Sequence, residues 1–373
     1  MIHFLRTINK KSISGTALLR LDFNTQDDWR MKAEIPTIKL LLNTSEKIVI
    51  VSHRGRPLNV KVVNGNPSGY ERPLSLKKDS VELSRLLGVK VVFIPHFRFA
   101  EIKKIIDSAP RGSVFLLENL RFLKGEEENS ESLAKSLATL ADFYVNDAFA
   151  VSHRANASIV AITKFLPGLA GLEIEKEITF LGQVMLKPKH PFIFIIGGAK
   201  AADKLGVIEF FKKRVDSFLL GGGSANTILG IRGVNIKKSL ADTDPKDIVK
   251  LKAISGYRNV ILPEDYVWHG DMILDIGINT TKEYAKKIAK AKTIIWSGPL
   301  GMTDKKAYQV GSKSIASAIV KNRKAFSISG GGETVAFLKK YGFDKKFSFI
   351  STGGGAMLDY LAGKKLPGIE ALR

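Results

Sequence analysis

Residues 47–57, KIVIVSHRGRP, decide the fold. Lys47 to Val51 is a β-branched apolar run of strand length, and it stops abruptly at Ser52, His53, Arg54, Gly55, Arg56 and Pro57. A run that is apolar on both faces suits a strand covered on both sides, as in a parallel sheet flanked by helices. Polar side chains just past such a strand stand at its carboxyl end, where open parallel sheets bind ligands. The first half of the chain repeats this arrangement. Residues 17–24, ALLRLDFN, put Asp22 and Asn24 after an apolar run, with Arg30 a few residues on. Arg121 follows SVFLLEN in ENLRF, and His153 and Arg154 follow DFYVNDAF in VSHRANAS. His53, Arg56, Arg121, His153, Arg154 and Arg30 at one sheet edge make a positive bowl. Arginine forks bind phosphate and carboxylate oxygens bidentately, so the pattern implies a small, highly anionic substrate.

Working outward, short β-branched or aromatic runs alternate with helix-like segments, the signature of βαβ units. The strands are expected at 17–22, 47–52, 89–95, 112–118 and 141–146, then at 191–196, 215–220, 259–262, 292–296, 325–329 and 347–351. Between the two sets lies FLPGLAGLEIEKEITFLGQVML, punctuated by Pro167, Gly168 and Gly171 and then helical in pattern. The expected fold class is therefore α/β, with two parallel-sheet domains. The expected boundaries are 1–165 with a returning tail 362–373, a hinge and connecting helix at 166–186, and a second domain at 187–361.

The second-half strands run into glycines: FIFIIGGAK, SFLLGGG, TIIWSGPLG, FSISGGGET and FSFISTGGGA. Glycine lets backbone N–H groups approach a phosphate, and a following helix start adds partial positive charge. One such junction is weak evidence, but five favour a nucleotide site. The chain carries neither a G-x-x-x-x-G-K-[ST] loop nor a G-x-G-x-x-G fingerprint, which argues against a P-loop NTPase or a standard dinucleotide dehydrogenase.

The chain has 373 residues, 45% hydrophobic and 25% charged, enough for two full cores. It has no cysteine, which excludes disulfides and thiolate metal sites and fits a cytoplasmic protein. No run approaches transmembrane length, and the N-terminal apolar stretch is too short for a signal peptide. The net charge is +22. One reading is a nucleic-acid or membrane binder. The other is a lysine-rich solvated surface, as in KEYAKKIAKAK, with no nucleic-acid motif beside it.

In their order and spacing, LDFN, SHRGRP, ENLRF, VNDAF with SHRA, GGAKAADK, GGGSANT, WSGPLG, GGGET and STGGGA resemble the phosphoglycerate kinase family from about Ala17 to Pro367. The resemblance implies two Rossmann-like domains facing a central cleft and joined by a helix. It implies reversible Mg2+-dependent phosphoryl transfer from 1,3-bisphosphoglycerate to ADP, by a monomer with small-molecule substrates and no specific nucleic-acid or membrane partner. The first domain then binds the phosphoglycerate and the second binds ATP or ADP. Asp22 and Asn24 match the residues at the glycerate end. His53, Arg56, Arg121 and Arg154 match those around the non-transferring phosphate, and Arg30 the one reaching the transferring group. Lys200 and Lys204 match the nucleotide-phosphate lysines, and Gly221, Gly222 and Gly223 the wall near adenine. Gly332, Glu333 and Thr334 come from GGGET, and Gly353, Gly354 and Gly355 match the helix start beneath the transferring phosphate. Arg30, Lys200, Gly354 and Gly355 are the expected catalytic set, and Glu333 the expected Mg2+ carboxylate.

Five positions depart from the family pattern. Glu333 stands for Asp, Ser297 for Asn, Asp304 for the ribose-binding Glu, Asn156 for His, and Arg54 for an apolar residue. Each expected site residue also has a plainer reading. An Arg after a strand can simply pair with an acid, Asp22 can be a turn residue, and Lys204, one helical turn after Lys200, can be a solvated charge. His53 alone reads as a structural histidine, His153 reads as structural at a turn, and Glu333 alone as a first-turn helix acid. A ligand-binding homologue without turnover and a basic nucleic-acid-binding protein are the alternatives to the enzyme.

Overall fold

The computed structural model describes residues 2–8, 14–25 and 28–373. The chain divides into two compact units, Met1–Thr179 with Lys365–Arg373, and Phe180–Lys364.

The first unit is built on a six-stranded parallel sheet. Its strands are β1 (Thr16–Arg20), β2 (Lys47–Val51), β5 (Val91–Ile94), β6 (Val114–Leu117), β7 (Phe143–Asn146) and β8 (Gly168–Ala170), in the order β5-β6-β2-β1-β7-β8. A separate hairpin, β3 (Lys61–Val63) with β4 (Asn66–Ser68), lies between β2 and β5 in sequence. The helices are α1 (Trp29–Thr44), α2 (Lys77–Leu87), α3 (Phe99–Ser108) and α4 (Glu131–Ala138). Every residue of β1, β6 and β7 is buried, which is why apolar residues run together in these strands without alternating with polar ones. Ala17, Leu19, Ile48, Ile50, Leu116, Val145, Ile38 and Leu41 form the heart of the core. Each such aliphatic side chain contributes about 1.5–3 kcal/mol on burial. Near the C-terminus, α13 (Pro367–Glu370) returns to this unit. Gly368 N–H donates to the Ser152 carbonyl at 2.8 Å, and Leu366, Ile369 and Leu372 are buried.

The second unit repeats the architecture with β9 (Phe192–Ile196), β10 (Ser217–Leu220), β11 (Val260–Ile261), β14 (Thr293–Ser297), β15 (Phe326–Gly330) and β16 (Phe349–Ile350), ordered β11-β10-β9-β14-β15-β16, all parallel. A hairpin of β12 (Tyr266–His269) and β13 (Met272–Ile276) stands apart from the sheet. Helices α6 (Leu205–Phe211), α7 (Gly222–Ile231), α8 (Pro245–Ser255), α9 (Ile278–Lys290), α10 (Val310–Lys321), α11 (Gly332–Lys340) and α12 (Gly355–Leu361) complete the unit. Trp296 is fully buried among Ile195, Ile294, Leu300 and Phe337, and its indole N–H donates to the Gly298 carbonyl at 2.8 Å. Helix α5 (Leu172–Leu186) spans the division between the units.

The predicted strands are present within a few residues. The sequence reading missed three elements. β8 has only three residues and lay inside the stretch read as punctuation, and both hairpins carry mixed polar and apolar residues without a clean alternation.

Candidate functional site

In the first unit, the sheet order reverses beside β1, so the loops after β1, β2, β6 and β7 lie at one edge. Asp22, two residues past β1, is buried. Its carboxylate accepts from Arg30 Nη1 at 2.6 Å and from the Asn24 N–H at 3.0 Å, and lies 3.7 Å from His53 Nδ1. The Asp22 N–H donates to Glu34 at 2.7 Å. Asn24 in turn accepts from the Gly55 N–H at 2.8 Å, which ties the β1 loop to the β2 loop. Arg121 donates through Nη1 to the Gly55 carbonyl, and its Nε lies 3.4 Å from Glu127. Arg154 Nε donates to His153 Nε2 at 3.3 Å. Arg56 is exposed and makes no ion pair among the described residues. One loop cluster therefore gathers Asp22, Asn24, Arg30, His53 and Arg121.

His53 is buried, and its Nε2 has no hydrogen-bond partner. Burial depresses its pKa well below the usual imidazole value. Asp22 pulls the other way, and Arg20, Arg121 and Arg154 add to the depression. The ring is therefore neutral in this state. Burial disfavours the Asp22 carboxylate, but His53, Arg30, the Asn24 N–H and Arg20 together outweigh the burial and lower its pKa. The result is a loop cluster with a positive excess and a buried imidazole nitrogen without a hydrogen-bond partner.

Arg20 belongs to this site and escaped the sequence reading. It sits at the end of β1 with 2% exposure. Its Nε donates to Ser158 Oγ at 2.9 Å, one Nη lies 3.1 Å from His53 Nδ1, and Glu126 is 3.8 Å away. The signal was present in the sequence, since a charge inside ALLRLDFN interrupts an otherwise apolar strand.

In the second unit, the sheet order reverses between β9 and β14. The two following loops touch through their backbones: Gly197 N–H donates to the Ser297 carbonyl at 3.0 Å and Gly198 N–H to the Pro299 carbonyl at 2.8 Å. A Cβ on Gly197 would stand 2.1 Å from the Pro299 oxygen, so only glycine allows this approach. Two cavities open beside these loops. One, of about 680 Å³, is lined by Gly222, Gly223, Asn226, Leu240, Asp304 and Phe337, among others. The other, of about 750 Å³, is lined by Lys200, Lys204, Ser297, Thr334, Gly354 and Gly355, among others. Gly198, Ala199, Gly332 and Glu333 border both. Gly221 caps α7, and Gly353 lies just ahead of α12, whose N-cap is Gly354. The first cavity has the size and mixed lining of a nucleoside site, and the second presents cations and helix starts to phosphates.

Lys200 is exposed, whereas Lys204 is buried and its Nζ donates to the Lys200 carbonyl at 3.0 Å. Burial lowers the Lys204 pKa, and Asp203, Glu333 and Asp242 oppose that effect. Thr334 accepts the Gly298 N–H at 2.8 Å and so fixes the start of α11 against the β14 loop. Leu240, Asn226 and Phe337 were not foreseen, because neither Leu240 nor Asn226 directly follows a strand and Phe337 reads as a helix core residue. Among the described residues no group of three or more His, Asp or Glu forms a metal site. Exposed Glu333, at the ridge shared by both cavities, suits an ion that takes one carboxylate and completes its shell with phosphate oxygens and water.

The family model described as phosphoglycerate kinase matches residues 13–364. The chain belongs to the phosphoglycerate kinase family. It is 40% identical to the phosphoglycerate kinase of Dictyoglomus turgidum, over 95% of each chain. It is 39% identical to a cytosolic phosphoglycerate kinase of Triticum aestivum, over 93% of this chain and 90% of that one. Among solved structures it resembles phosphoglycerate kinase from Pyrococcus horikoshii, with a TM-score of 0.85 and 30% identity, covering 100% of this chain and 98% of that one. The Coxiella burnetii phosphoglycerate kinase gives a TM-score of 0.81 at 31% identity, covering 100% and 99%.

Against the phosphoglycerate kinase pattern, one departure now has a structural account. Arg54 is occupied by an ion pair with Asp79 and donates to the Thr25 carbonyl at 2.7 Å, so this extra cation braces the loop. Asn156 is buried, and its carbonyl accepts the N–H groups of Ile159 and Val160 in a tight turn. Ser297 is buried at the end of β14, while Asp304 is exposed on the nucleoside-cavity rim.

Proposed function

We propose that the chain catalyses reversible phosphoryl transfer between 1,3-bisphosphoglycerate and ADP, giving 3-phosphoglycerate and ATP. The observation that carries this reading is the pairing, within one member of that family, of a cation-rich loop cluster at one sheet edge and two adjoining cavities bordered by glycine loops and by Lys200 and Lys204 at the other.

In the forward step an oxygen of the ADP β-phosphate forms a bond to the acyl-phosphate phosphorus. The bond from that phosphorus to the carboxyl oxygen breaks, and the carboxylate leaves with the electron pair. The nucleophile is already ionised, so no proton has to move. The barrier is electrostatic, and catalysis comes from positioning and from cations at the transferring group. His53, Arg56, Arg121 and Arg154 hold the phosphate that stays, Asp22 and Asn24 orient the glycerate, and Arg30 meets the transferring group. Lys200 and Lys204 neutralise nucleotide phosphates. Gly221, Gly222 and Gly223 wall the base, Ser297, Asp304, Gly332 and Thr334 line the rest of the nucleotide, and the N–H groups of Gly354 and Gly355 face the transferred phosphate. Glu333 would hold Mg2+, which when bound neutralises charge on the phosphate oxygens.

This reading includes a monomer acting in the cytoplasm. Each chain carries both candidate sites, and the wheat relative is named as cytosolic. Among the described residues no helix is long and apolar enough to cross a membrane. The test of the chemistry is hydroxylamine trapping. With 3-phosphoglycerate and MgATP the protein should produce a hydroxamate from the acyl phosphate, and no hydroxamate above a protein-free control would reject the reading.

A further inference from the structure

Lys200 and Lys204 sit on a weakly supported piece of chain. It leaves Gly198, whose φ is +82°, passes through a single 3-10 turn at Ala202–Lys204 and enters the short helix α6. The first N–H groups of such a start have no partner inside the helix. Here an acid from elsewhere supplies one. The Asp242 carboxylate accepts the Ala201 N–H at 2.7 Å and the Ala202 N–H at 3.2 Å.

Asp242 is itself held from the nucleoside side. Its own N–H donates to Thr227 Oγ1 at 2.9 Å, and Thr227 Oγ1 donates to the Gly223 carbonyl at 2.8 Å, both on α7. Two residues upstream, the Leu240 carbonyl accepts from Asn226 Nδ2 at 3.1 Å, while the Leu240 side chain lines the nucleoside cavity. The segment Leu240–Asp242 thus touches the nucleoside chamber at one end and the lysine segment at the other. Hydrogen bonds from N–H groups to an ionised carboxylate are about twice as strong as neutral ones, which suits a clamp on otherwise loose backbone.

We propose that Asp242 is a positioning residue for phosphoryl transfer: by gripping the Ala201 and Ala202 N–H groups it fixes the Lys200–Lys204 segment in register with the nucleoside wall formed by α7 and Leu240. Asp242 lines neither cavity. Its effect on the nucleotide passes through the two lysines, so its loss harms the phosphate end of the nucleotide and spares the base.

This inference rests on the reading of Lys200 and Lys204 as nucleotide-phosphate contacts. The experiment is titration calorimetry of adenosine and of MgATP on the full chain, with steady-state kinetics, for wild type, Asp242→Ala, Asp242→Asn, Asp242→Glu and Lys200→Ala. In Asp242→Ala we expect MgATP binding to weaken about tenfold, with adenosine and 3-phosphoglycerate binding changed less than twofold. Asp242→Asn keeps one acceptor oxygen and falls between, and Asp242→Glu restores part of the loss. Equal losses for adenosine and MgATP would mean that Asp242 merely supports the fold, and no loss for either would mean that it positions nothing; both overturn the proposal. If Asp242→Ala does not fold, the Asp242→Asn comparison decides by the same criterion. Lys200→Ala separates the two layers. If it leaves MgATP intact the phosphate-contact reading fails, whereas if it weakens MgATP while Asp242→Ala does not, only the present inference fails.

Discussion

The Asp22 carboxylate holds the Arg30 guanidinium at 2.6 Å, with both groups largely buried. Arg30 is thereby aimed by a partner that carries the opposite charge, and its Nε has no hydrogen bond of its own. A guanidinium oriented before substrate arrives needs little reorganisation when charge develops on a transferring phosphate. Arg30→Ala should lower kcat by about 10²-fold or more while 3-phosphoglycerate affinity changes only modestly. Arg56, exposed and without an ion pair among the described residues, should behave in the reverse way, with Arg56→Ala weakening binding first. Kinetics and ligand titration of both variants check this, and equal effects on both parameters in both variants would remove the distinction.

His53 gives a proton-linkage prediction. Burial and the nearby arginines keep it neutral, against the pull of Asp22. An anionic phosphate beside Arg121 and Arg154 cancels part of that repulsion and raises the imidazole pKa. Binding of 3-phosphoglycerate should therefore take up protons and tighten as pH falls through the bound-state pKa towards the lower free-state pKa. Calorimetry in two buffers of different ionisation enthalpy reads the uptake directly. His53→Gln should reduce it, and the same uptake in wild type and variant would assign the proton elsewhere.

Buried acids predict how stability changes with pH. Burial pushes Asp147 up to about 6, although Thr37 and the N–H groups of Ile174 and Glu173 oppose it. Burial likewise places Glu34 well above its usual value; the Asp22 N–H opposes this, and Asp147, Asp22 and Glu173 add to it. Asp275 in the second unit is raised to about 6 by burial. A carboxyl whose folded pKa exceeds its unfolded value stabilises the fold fully below the unfolded pKa, near 4, and loses that contribution as pH climbs through the folded pKa. These groups should lower Tm between about pH 4 and pH 7. Asp147→Asn and Glu34→Gln should each flatten the fall, and unchanged slopes in both would contradict the assignment.

Glu333 is one methylene longer than the family's Asp, on the ridge between the cavities, and Ser297 and Asp304 change the same nucleotide side. Magnesium tolerates little distortion of its octahedron, so we expect the three to work as a set. Glu333→Asp alone should not raise kcat/KM for MgATP, and the Ser297→Asn/Asp304→Glu/Glu333→Asp triple should exceed it. A gain from the single change equal to that of the triple would show that the positions are independent. Glu333→Gln keeps the size without the charge and should weaken the dependence of rate on Mg2+.

Much of this molecule was legible in its sequence. The strands of the two sheets, apart from the three-residue β8, were visible because strands buried on both faces are largely apolar runs, and Phe192–Ile196 ending in Gly197 could be read without any packing information. The clustering of Asp22, His53 and Arg121 was legible because each stands just past a strand end, at one edge of a parallel sheet. Arg20 was missed because a charged residue inside a strand reads as an interruption, although its partners Ser158 and Glu126 come from distant loops. Asp242 and Leu240 were missed for a different reason. They sit in a loop of no regular period, and only the folded chain brings them to Ala201 and to the nucleoside cavity. The hairpins β3–β4 and β12–β13 escaped because short strands that mix polar and apolar residues without alternation carry no period-2 signal.

The central claim is phosphoryl transfer, and one assay addresses it most directly. Purified protein is mixed with 3-phosphoglycerate, MgATP, glyceraldehyde-phosphate dehydrogenase and NADH, and NADH oxidation is followed in wild type and in Lys200→Ala. The account predicts oxidation that requires both 3-phosphoglycerate and MgATP and falls by about 10²-fold or more in the variant. A wild-type rate no greater than that of Lys200→Ala would contradict it.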